Sequence, residues 1–223
     1  MALQLVLPLT TKPSLGRSDF VVSPGNAPAV GLIDSWPNWP VSAAIVYGPS
    51  GSGKTHLVSV WQKMSGARVV SAAELGLEIE GRGALAVEDV DSQPPTEMRD
   101  RQLFQLFESA SPAAPLLLTG REAPSVWPTF LPDLASRFSA ALSFGLWKPD
   151  DELLAALARK LLEDRQLPVP AAVIARILQS LERSPEAVRE FIARADAKAL
   201  SEARPITLSL VRELIAGEDG GLS

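Results

Sequence analysis

The stretch Gly48-Pro49-Ser50-Gly51-Ser52-Gly53-Lys54-Thr55 decides the fold of this chain. It is a complete G-x-x-x-x-G-K-[ST] motif that follows the apolar run 43–47 and opens a segment with helical spacing. Glycines in such a loop let backbone N–H groups turn towards phosphate oxygens, and the amino terminus of the following helix adds a favourable dipole. The stretch, called the P-loop below, therefore predicts a phosphate site between a strand and a helix.

The polar residues of the P-loop have separate predicted roles. Lys54 would reach the β- and γ-phosphates of a nucleotide, and the Thr55 hydroxyl would help to hold Mg²⁺. His56, the only histidine, follows directly and is grouped with the nucleotide-contacting residues. Packing on the helix is the alternative for His56 and is more common for a single histidine than catalysis. The predicted ligands are ADP or ATP with Mg²⁺.

Outward from the P-loop, short apolar runs alternate with helical segments. Strands are predicted at 43–47, 67–70, 84–87 and 115–118, because runs of this length that are apolar on both faces are typical of buried parallel strands. Helices are predicted at 54–64 and 96–109, the second with Leu103, Phe104 and Phe107 at three- and four-residue spacing. This alternation predicts an α/β fold with a covered parallel sheet.

The two flanks of this region differ from it. Prolines recur through residues 1–40 and predict an extended lead-in without a long helix. After Pro149 the apolar residues recur with helical spacing, as at Leu153, Leu157 and Leu161, which predicts a small all-helical lid. We therefore divide the chain into a peptide at 1–10, a nucleotide-binding base at 11–149 and a lid at 150–223.

The composition narrows the class of protein. The 223 residues carry a net charge of −5, which argues against broad capture of DNA phosphates by clustered basic residues. The absence of cysteine excludes disulfides and thiolate metal sites and suits a reducing compartment. No apolar run approaches the length of a membrane span, and no basic residue precedes Lys12, as a secretory signal would require. We expect a cytoplasmic protein that does not contact membranes.

An acidic segment ends the third predicted strand. Ala84-Leu85-Ala86-Val87-Glu88-Asp89-Val90-Asp91 is similar to a Walker B element, in which carboxylates hold the metal and orient the attacking water. Glu88 and Asp89 are therefore candidate catalytic and metal-binding residues. The usual order is Asp before Glu, and the reversed order here places the shorter carboxylate farther from the water, so we expect slow hydrolysis. A solvated acidic turn after a core strand is the alternative.

Several separate segments together resemble the DnaA-type AAA+ ATPases, and among them the short Hda-like proteins. Phe20-Val21-Val22, followed by Asn26, resembles the lead-in that packs around adenine, although a proline-bounded loop is the alternative. Leu116-Leu117-Leu118-Thr119 resembles the strand that carries sensor 1, but Arg121 replaces the acidic residue usual beyond it. The resemblance implies an AAA+ P-loop NTPase fold with a parallel-sheet base and a small all-helical lid, and it places Phe20 and Val21 at the nucleotide.

Two arginines are assigned by the same resemblance. Leu131-Pro132-Asp133-Leu134-Ala135-Ser136-Arg137 is similar to the Box VII segment of the family, which makes Arg137 the candidate arginine finger. Such a guanidinium, offered to the γ-phosphate of a neighbouring subunit, contributes about 10³-fold or more in rate. Ala187-Val188-Arg189-Glu190-Phe191 is similar to the sensor 2 segment, with Arg189 reaching the phosphates and Arg183 as a second choice. Solvated surface arginines are the alternative in both cases.

The amino-terminal segment Gln4-Leu5-Val6-Leu7-Pro8-Leu9, called the clamp peptide below, resembles the peptide with which Hda-like proteins dock on the DNA polymerase III sliding clamp. Leu7 and Leu9 can fill an apolar pocket, the Gln4 amide can make directed hydrogen bonds, and Pro8 keeps the segment extended. The docking residues would be Gln4, Leu5, Leu7, Pro8 and Leu9. An edge strand or chance similarity is the alternative.

These features support three hypotheses on function. The first is a clamp-tethered negative regulator of replication initiation that promotes hydrolysis of DnaA-bound ATP through Arg137 and has weak ATPase activity of its own. The second is a stand-alone AAA+ ATPase such as a helicase loader, and the third is a nucleotide-gated clamp-tethering module. No basic recognition helix follows the lid, so direct sequence-specific DNA binding is not expected. Homo-oligomers are possible for an AAA+ module, and the choice between ADP and ATP stays open.

Overall fold

The computed structural model describes residues 15–75, 83–147 and 149–219. The chain separates at Pro149 into two compact units, an α/β unit before it and a helical unit after it. In the α/β unit the strands are β1 Ala43–Tyr47, β2 Arg68–Ser71, β3 Leu85–Glu88, β4 Leu116–Gly120 and β5 Leu142–Gly145. The helices of this unit are α1 Ala27–Asp34, α2 Lys54–Ser65, α3 Glu97–Ser109 and α4 Pro132–Ala140.

The five strands form one sheet in the order β2-β3-β4-β1-β5, and every pairing in it is parallel. β1 lies between β4 and β5, with Val46 opposite both Thr119 and Phe144. Parallel strands bring their carboxyl ends to one edge, where ligands bind in open α/β sheets. The predicted α/β class with a parallel sheet is confirmed.

The sheet is covered on both faces because successive strand residues point to opposite sides. On one face, Val46 and Leu117 pack with buried residues of α1 and α2. On the other face, Ile45 and Leu118 pack with buried residues of α3 and α4. This two-sided burial explains why the strands are apolar at consecutive positions rather than alternating.

The extended lead-in predicted for residues 1–40 is wrong at α1, which is helical from Ala27. Pro28 lies in the first turn of α1, where the missing N–H would have had no helical partner, so proline starts this helix instead of breaking it. α4 likewise begins with a proline, Pro132, in its first turn. β5 was also missed, because half of this four-residue edge strand is exposed and it has no apolar run.

The helical unit contains α5 Asp151–Glu163, α6 Ala171–Ser180, α7 Pro185–Ser201 and α8 Leu208–Asp219. Asp150 caps α5 by accepting a hydrogen bond from the Leu153 amide at 2.7 Å. The unit buries a core of its own, which includes Leu157, Ile177, Phe191 and Leu210. Among the described residues, none of the helices combines the length and the apolar character that crossing a bilayer requires.

Candidate functional site

The P-loop joins β1 to α2 at the carboxyl edge of the sheet, and two of its glycines are required by close contacts. Gly48 has φ 151°, and a Cβ there would stand 2.2 Å from the Leu146 carbonyl oxygen. Gly53 has φ 101°, and a Cβ there would stand 3.0 Å from the Phe20 ring. The loop therefore passes between the residue after β5 and the lead-in without space for side chains at these two positions.

Lys54 begins α2 and lies beneath the loop, with only 8% of the residue exposed. Its Nζ donates hydrogen bonds to the carbonyl oxygens of Gly48 at 2.7 Å and Pro49 at 3.1 Å. Burial lowers the pKa of the Lys54 ammonium, and the nearby Asp89 carboxylate opposes that shift. Among neighbouring charges Arg121 also lowers this pKa, whereas Asp91 and Glu88 raise it. These charges belong to one electrostatic site at the sheet edge.

The residues present fit a nucleotide phosphate group. The positive-φ glycines open the backbone of the loop, α2 presents its amino terminus, and Lys54 supplies the cation. The Ser52 hydroxyl oxygen is buried and has no hydrogen-bond partner among the residues that the structure describes. Buried polar groups normally have hydrogen-bond partners, so the Ser52 hydroxyl is a candidate contact for a phosphate oxygen or for a water molecule bound to it.

The ends of β3 and β4 are tied together beside the P-loop. The Asp89 amide donates to Thr119 Oγ1 at 3.1 Å, and Thr119 is 1% exposed. The Asp91 carboxylate accepts hydrogen bonds from the amides of Arg121, at 2.8 and 2.9 Å, and Glu122, at 2.8 Å. Asp91 therefore holds the segment after β4 in place, a positioning role that the sequence pattern did not reveal.

Magnesium would be held by the Thr55 hydroxyl together with Glu88 or Asp89. Within the described ranges no group of three or more acidic, histidine or cysteine side chains converges on a common point. Mg²⁺ is usually bound through one or two carboxylates with phosphate oxygens and waters, so the hydroxyl and carboxylate pair suits it. Asp89 has φ 55°, a region where Asp is more frequent than Glu, and the reversed acidic order suits this turn.

The part of the lead-in that the structure describes before α1, residues 15–26, packs against the start of α2. Phe20 is buried and meets the His56 ring edge to face, with centroids 5.0 Å apart. Nε2 of His56 donates to the Gly16 carbonyl at 2.9 Å. The Asn26 side chain accepts a hydrogen bond from the Ser23 amide at 2.8 Å and donates one to the Val21 carbonyl oxygen at 3.0 Å. The structure thus brings Phe20 to the P-loop and gives His56 an anchoring contact to the lead-in.

Arg137 lies away from the P-loop on the last turn of α4, with 51% of its side chain exposed. It forms an ion pair with Glu108, a residue near the end of α3 that is exposed to a similar extent. β5 begins at Leu142, level with Ala44, so α4 ends near the amino-terminal edge of the sheet. Leu142 lies three residues, about 10 Å of strand, before the level of Tyr47 and the P-loop.

The predicted lid arginines belong to the helical unit. Arg189 lies near the start of α7 and is partly buried. Arg183 forms an ion pair with Asp151 at 3.1 Å, and about 70% of each side chain is exposed. The clamp peptide lies outside the described residues.

A buried ion pair in α3 was not identified from the sequence. Arg99 is 3% exposed and Asp100 is fully buried, and both stand one helical turn before Leu103 on the core-facing side of α3. A charged pair placed on the apolar stripe of a predicted helix could have indicated this, because such groups are buried only when they are paired.

Replacing Gly48 by alanine is expected to abolish nucleotide binding and to destabilise the protein. The new Cβ would overlap the Leu146 carbonyl, so the loop or the end of β5 would have to move. The matched control is Gly31→Ala in α1, where a Cβ meets nothing within 4 Å and helix propensity should raise stability by about 0.5–1 kcal/mol. Thermal unfolding with and without ADP measures both effects. A nucleotide-responsive Gly48→Ala variant would contradict the geometry.

Comparison with known proteins supports the fold. No protein-family model matches the chain, and no curated protein matches it. Domain III of the replication initiation protein DnaA from Thermotoga maritima superposes with a TM-score of 0.71 at 20% identity, covering 93% of this chain and 97% of that one. AMPPCP-bound DnaA from Aquifex aeolicus gives 0.73 at 17% identity, covering 85% of this chain and 67% of that one.

A second group of similar structures belongs to RuvB, a Holliday junction branch migration motor. A RuvB variant from Thermotoga maritima gives a TM-score of 0.64 at 14% identity, covering 85% of this chain and 66% of that one. The chain thus spans about two thirds of these longer proteins and nearly all of the isolated DnaA domain. The parallel sheet, the P-loop at its carboxyl edge and these superpositions show that the chain has a DnaA-like AAA+ fold.

Proposed function

We propose that this chain is a nucleotide-binding AAA+ regulator of DNA replication initiation, which docks on the sliding clamp and promotes hydrolysis of DnaA-bound ATP through Arg137. Its own P-loop holds ADP or ATP with Mg²⁺, and Arg189 is the candidate sensor 2 residue by sequence resemblance. The likeness to DnaA domain III supports the choice of partner, because AAA+ domains of similar fold can pack as neighbours across their nucleotide sites.

The position of Arg137 carries the proposal. α4 ends near the amino-terminal edge of the sheet, whereas the P-loop lies at the carboxyl edge. About half of the Arg137 side chain is exposed, so a second molecule can reach the guanidinium. Its pairing with exposed Glu108 offers little resistance, because ion pairs of this kind contribute about 0–1 kcal/mol. A γ-phosphate of a neighbouring protein would compete well for the guanidinium.

The chain's own site supports a loaded state better than rapid turnover. The Glu88-Asp89 order places the shorter carboxylate at the position that orients water, and Asp91 is engaged by backbone amides of Arg121 and Glu122. The arginine side chain of residue 121 replaces an acidic group beside Lys54. A nucleotide held there would act mainly as part of the structure, and the arginine finger would act on the partner.

Clamp docking is proposed from residues 4–9 alone. A short apolar peptide loses much conformational freedom on binding, so Pro8, which restricts the free peptide, makes docking less costly. Leu7 and Leu9 supply the apolar surface that docking would bury. Tethering to a clamp on DNA raises the local concentration of the regulator near a DNA-bound initiator. Clamp dependence is therefore expected at low concentrations of this protein.

The test is hydrolysis of labelled ATP preloaded on DnaA, with this protein and DNA-loaded clamp. We expect clamp-dependent acceleration by the wild type, and at least tenfold weaker acceleration by Gln4→Ala/Leu7→Ala at limiting protein, an estimate of about 1.4 kcal/mol of lost docking. Without DnaA, the wild type and the Gln4→Ala/Leu7→Ala variant should both hydrolyse little ATP. Restoration of full activity by excess variant would show a tethering defect only.

The outcomes separate the three hypotheses. Rapid hydrolysis by this protein alone would favour a stand-alone ATPase. No acceleration by a nucleotide-loaded, clamp-bound wild type would reject the regulator and favour a tethering module.

A further inference from the structure

The buried pair of Arg99 and Asp100 connects the acidic turn, residues 88–91, with the segment that starts α4. Nη2 of Arg99 donates to the Val90 carbonyl at 2.6 Å, and Nη1 donates to the Pro128 carbonyl at 3.2 Å. Nη1 also donates to Asp100 Oδ1 at 2.7 Å. One guanidinium thus holds the backbone after β3, the backbone before α4 and the carboxylate next to it.

The second oxygen of Asp100 fixes the residues immediately before α4. Asp100 Oδ2 accepts hydrogen bonds from Thr129 Oγ1 and from the Phe130 amide, both at 2.7 Å. The Thr129 hydroxyl oxygen in turn accepts the Leu131 amide at 3.1 Å. Leu131 is the N-cap of α4 and supplies no side-chain cap, so these contacts define where the helix begins.

Burial makes this arrangement stringent. The side chains are 4% and 0% exposed, and Asp100 has a donor on each oxygen. Buried carboxylates are kept only where each oxygen is satisfied, since unpaired charge in a core is costly. Replacing a buried ion pair by apolar residues of similar volume is often neutral or stabilising. What an apolar pair would lose here is the set of directed hydrogen bonds that Arg99 and Asp100 make.

We infer that Arg99 and Asp100 are positioning residues for the arginine finger: they fix the start of α4, and hence Arg137, relative to the acidic turn. This inference rests on the proposed function of Arg137. Arg137 lies six residues after Leu131, about 9 Å along the helix. A shift or tilt at the helix start is therefore carried to the guanidinium, and phosphoryl transfer is sensitive to misplacement of about 1 Å.

Asp100→Asn is the first variant, because an amide of the same size cannot accept hydrogen bonds on both sides. The amide N–H₂ would face either Arg99 or the donors of Thr129 and Phe130. We expect hydrogen exchange to accelerate in residues 128–137 and at the acidic turn. We also expect maximal stimulation of hydrolysis in DnaA to fall about tenfold, with the concentration for half-maximal stimulation and the affinity for ADP almost unchanged. Glu97→Gln, which removes an exposed ion pair with Arg101 on the same helix, should match the wild type.

A milder pair of variants covers the case in which Asp100→Asn does not fold. Thr129→Val removes the hydroxyl that joins Asp100 to the Leu131 amide, and Thr129→Ser retains it. The valine variant should show faster exchange in residues 128–137 and reduced maximal stimulation, and the serine variant should restore both. If the valine variant instead failed through a general loss of packing, it would also bind nucleotide more weakly. The serine variant would then not restore exchange and stimulation merely because it keeps the hydroxyl.

The exchange measurement keeps this inference separable from the proposed function. If the wild type does not stimulate hydrolysis, the proposed function fails, and exchange alone then decides whether the pair fixes the start of α4. If hydrogen exchange in residues 128–137 is unchanged in both Asp100→Asn and Thr129→Val, the inference is overturned. It is also overturned if exchange accelerates and maximal stimulation by those variants stays at the wild-type level.

Discussion

Replacing Lys54 by alanine is expected to lower the affinity of the chain for ATP and ADP by about 100-fold or more. The ammonium lies beneath the P-loop, where its Nζ donates to the Gly48 and Pro49 carbonyl oxygens, and charge-assisted contacts to phosphate are worth about 1.5–3 kcal/mol each. Isothermal titration of both nucleotides measures the change. Because nucleotide stabilises the protein that binds it, the variant should also lose the rise in Tm that ADP gives the wild type.

Lys63→Ala is the matched control for Lys54→Ala. Lys63 lies on the same helix and is exposed, and its Nζ donates to the Leu15 carbonyl at 3.0 Å. Removing it changes the net charge equally but should leave nucleotide affinity within about twofold, since exposed charges act weakly at a distance. A folded Lys54→Ala variant with wild-type affinity would show that phosphate binds elsewhere.

Local patterns were sufficient to predict the class of fold. β1 occupies the predicted residues 43–47, and α2 begins at the predicted residue, Lys54. These elements are encoded by short-range signals: consecutive apolar residues, a glycine-rich turn and a helix start. Proline was misleading for α1 because its effect depends on position, and the first turn of a helix accepts it.

The site was only partly predictable because several of its contacts join distant segments. The identities of Lys54, Glu88 and Asp89 follow from motifs, and the structure groups them electrostatically at one edge. The hydrogen bond from Asp89 to Thr119 depends on the pairing of β3 with β4, which no local pattern fixes. The contacts of Asp100 with Thr129 and Phe130 similarly require α3 to pack beside the start of α4.

Replacing Arg137 by alanine is expected to reduce the stimulation of DnaA-bound ATP hydrolysis by about 10³-fold, the contribution typical of an arginine finger supplied in trans. Affinity of the variant for ADP should be unchanged, since α4 ends near the opposite edge of the sheet from the P-loop. Arg137→Lys should recover only part of the stimulation, because an ammonium keeps the charge but lacks the planar fork of donors. Single-turnover hydrolysis of ATP preloaded on DnaA gives these rates.

Two further variants show whether the effect belongs to the finger. Arg101→Ala removes another exposed arginine that is paired with Glu97, and it should stimulate like the wild type. Glu108→Gln releases Arg137 from its ion pair at little cost in stability, so stimulation should be kept or increased. If Arg137→Ala weakened ADP binding as strongly as it weakened stimulation, Arg137 would act on the chain's own nucleotide. A trans-acting finger requires the two effects to separate, since the γ-phosphate that Arg137 contacts would then belong to the partner.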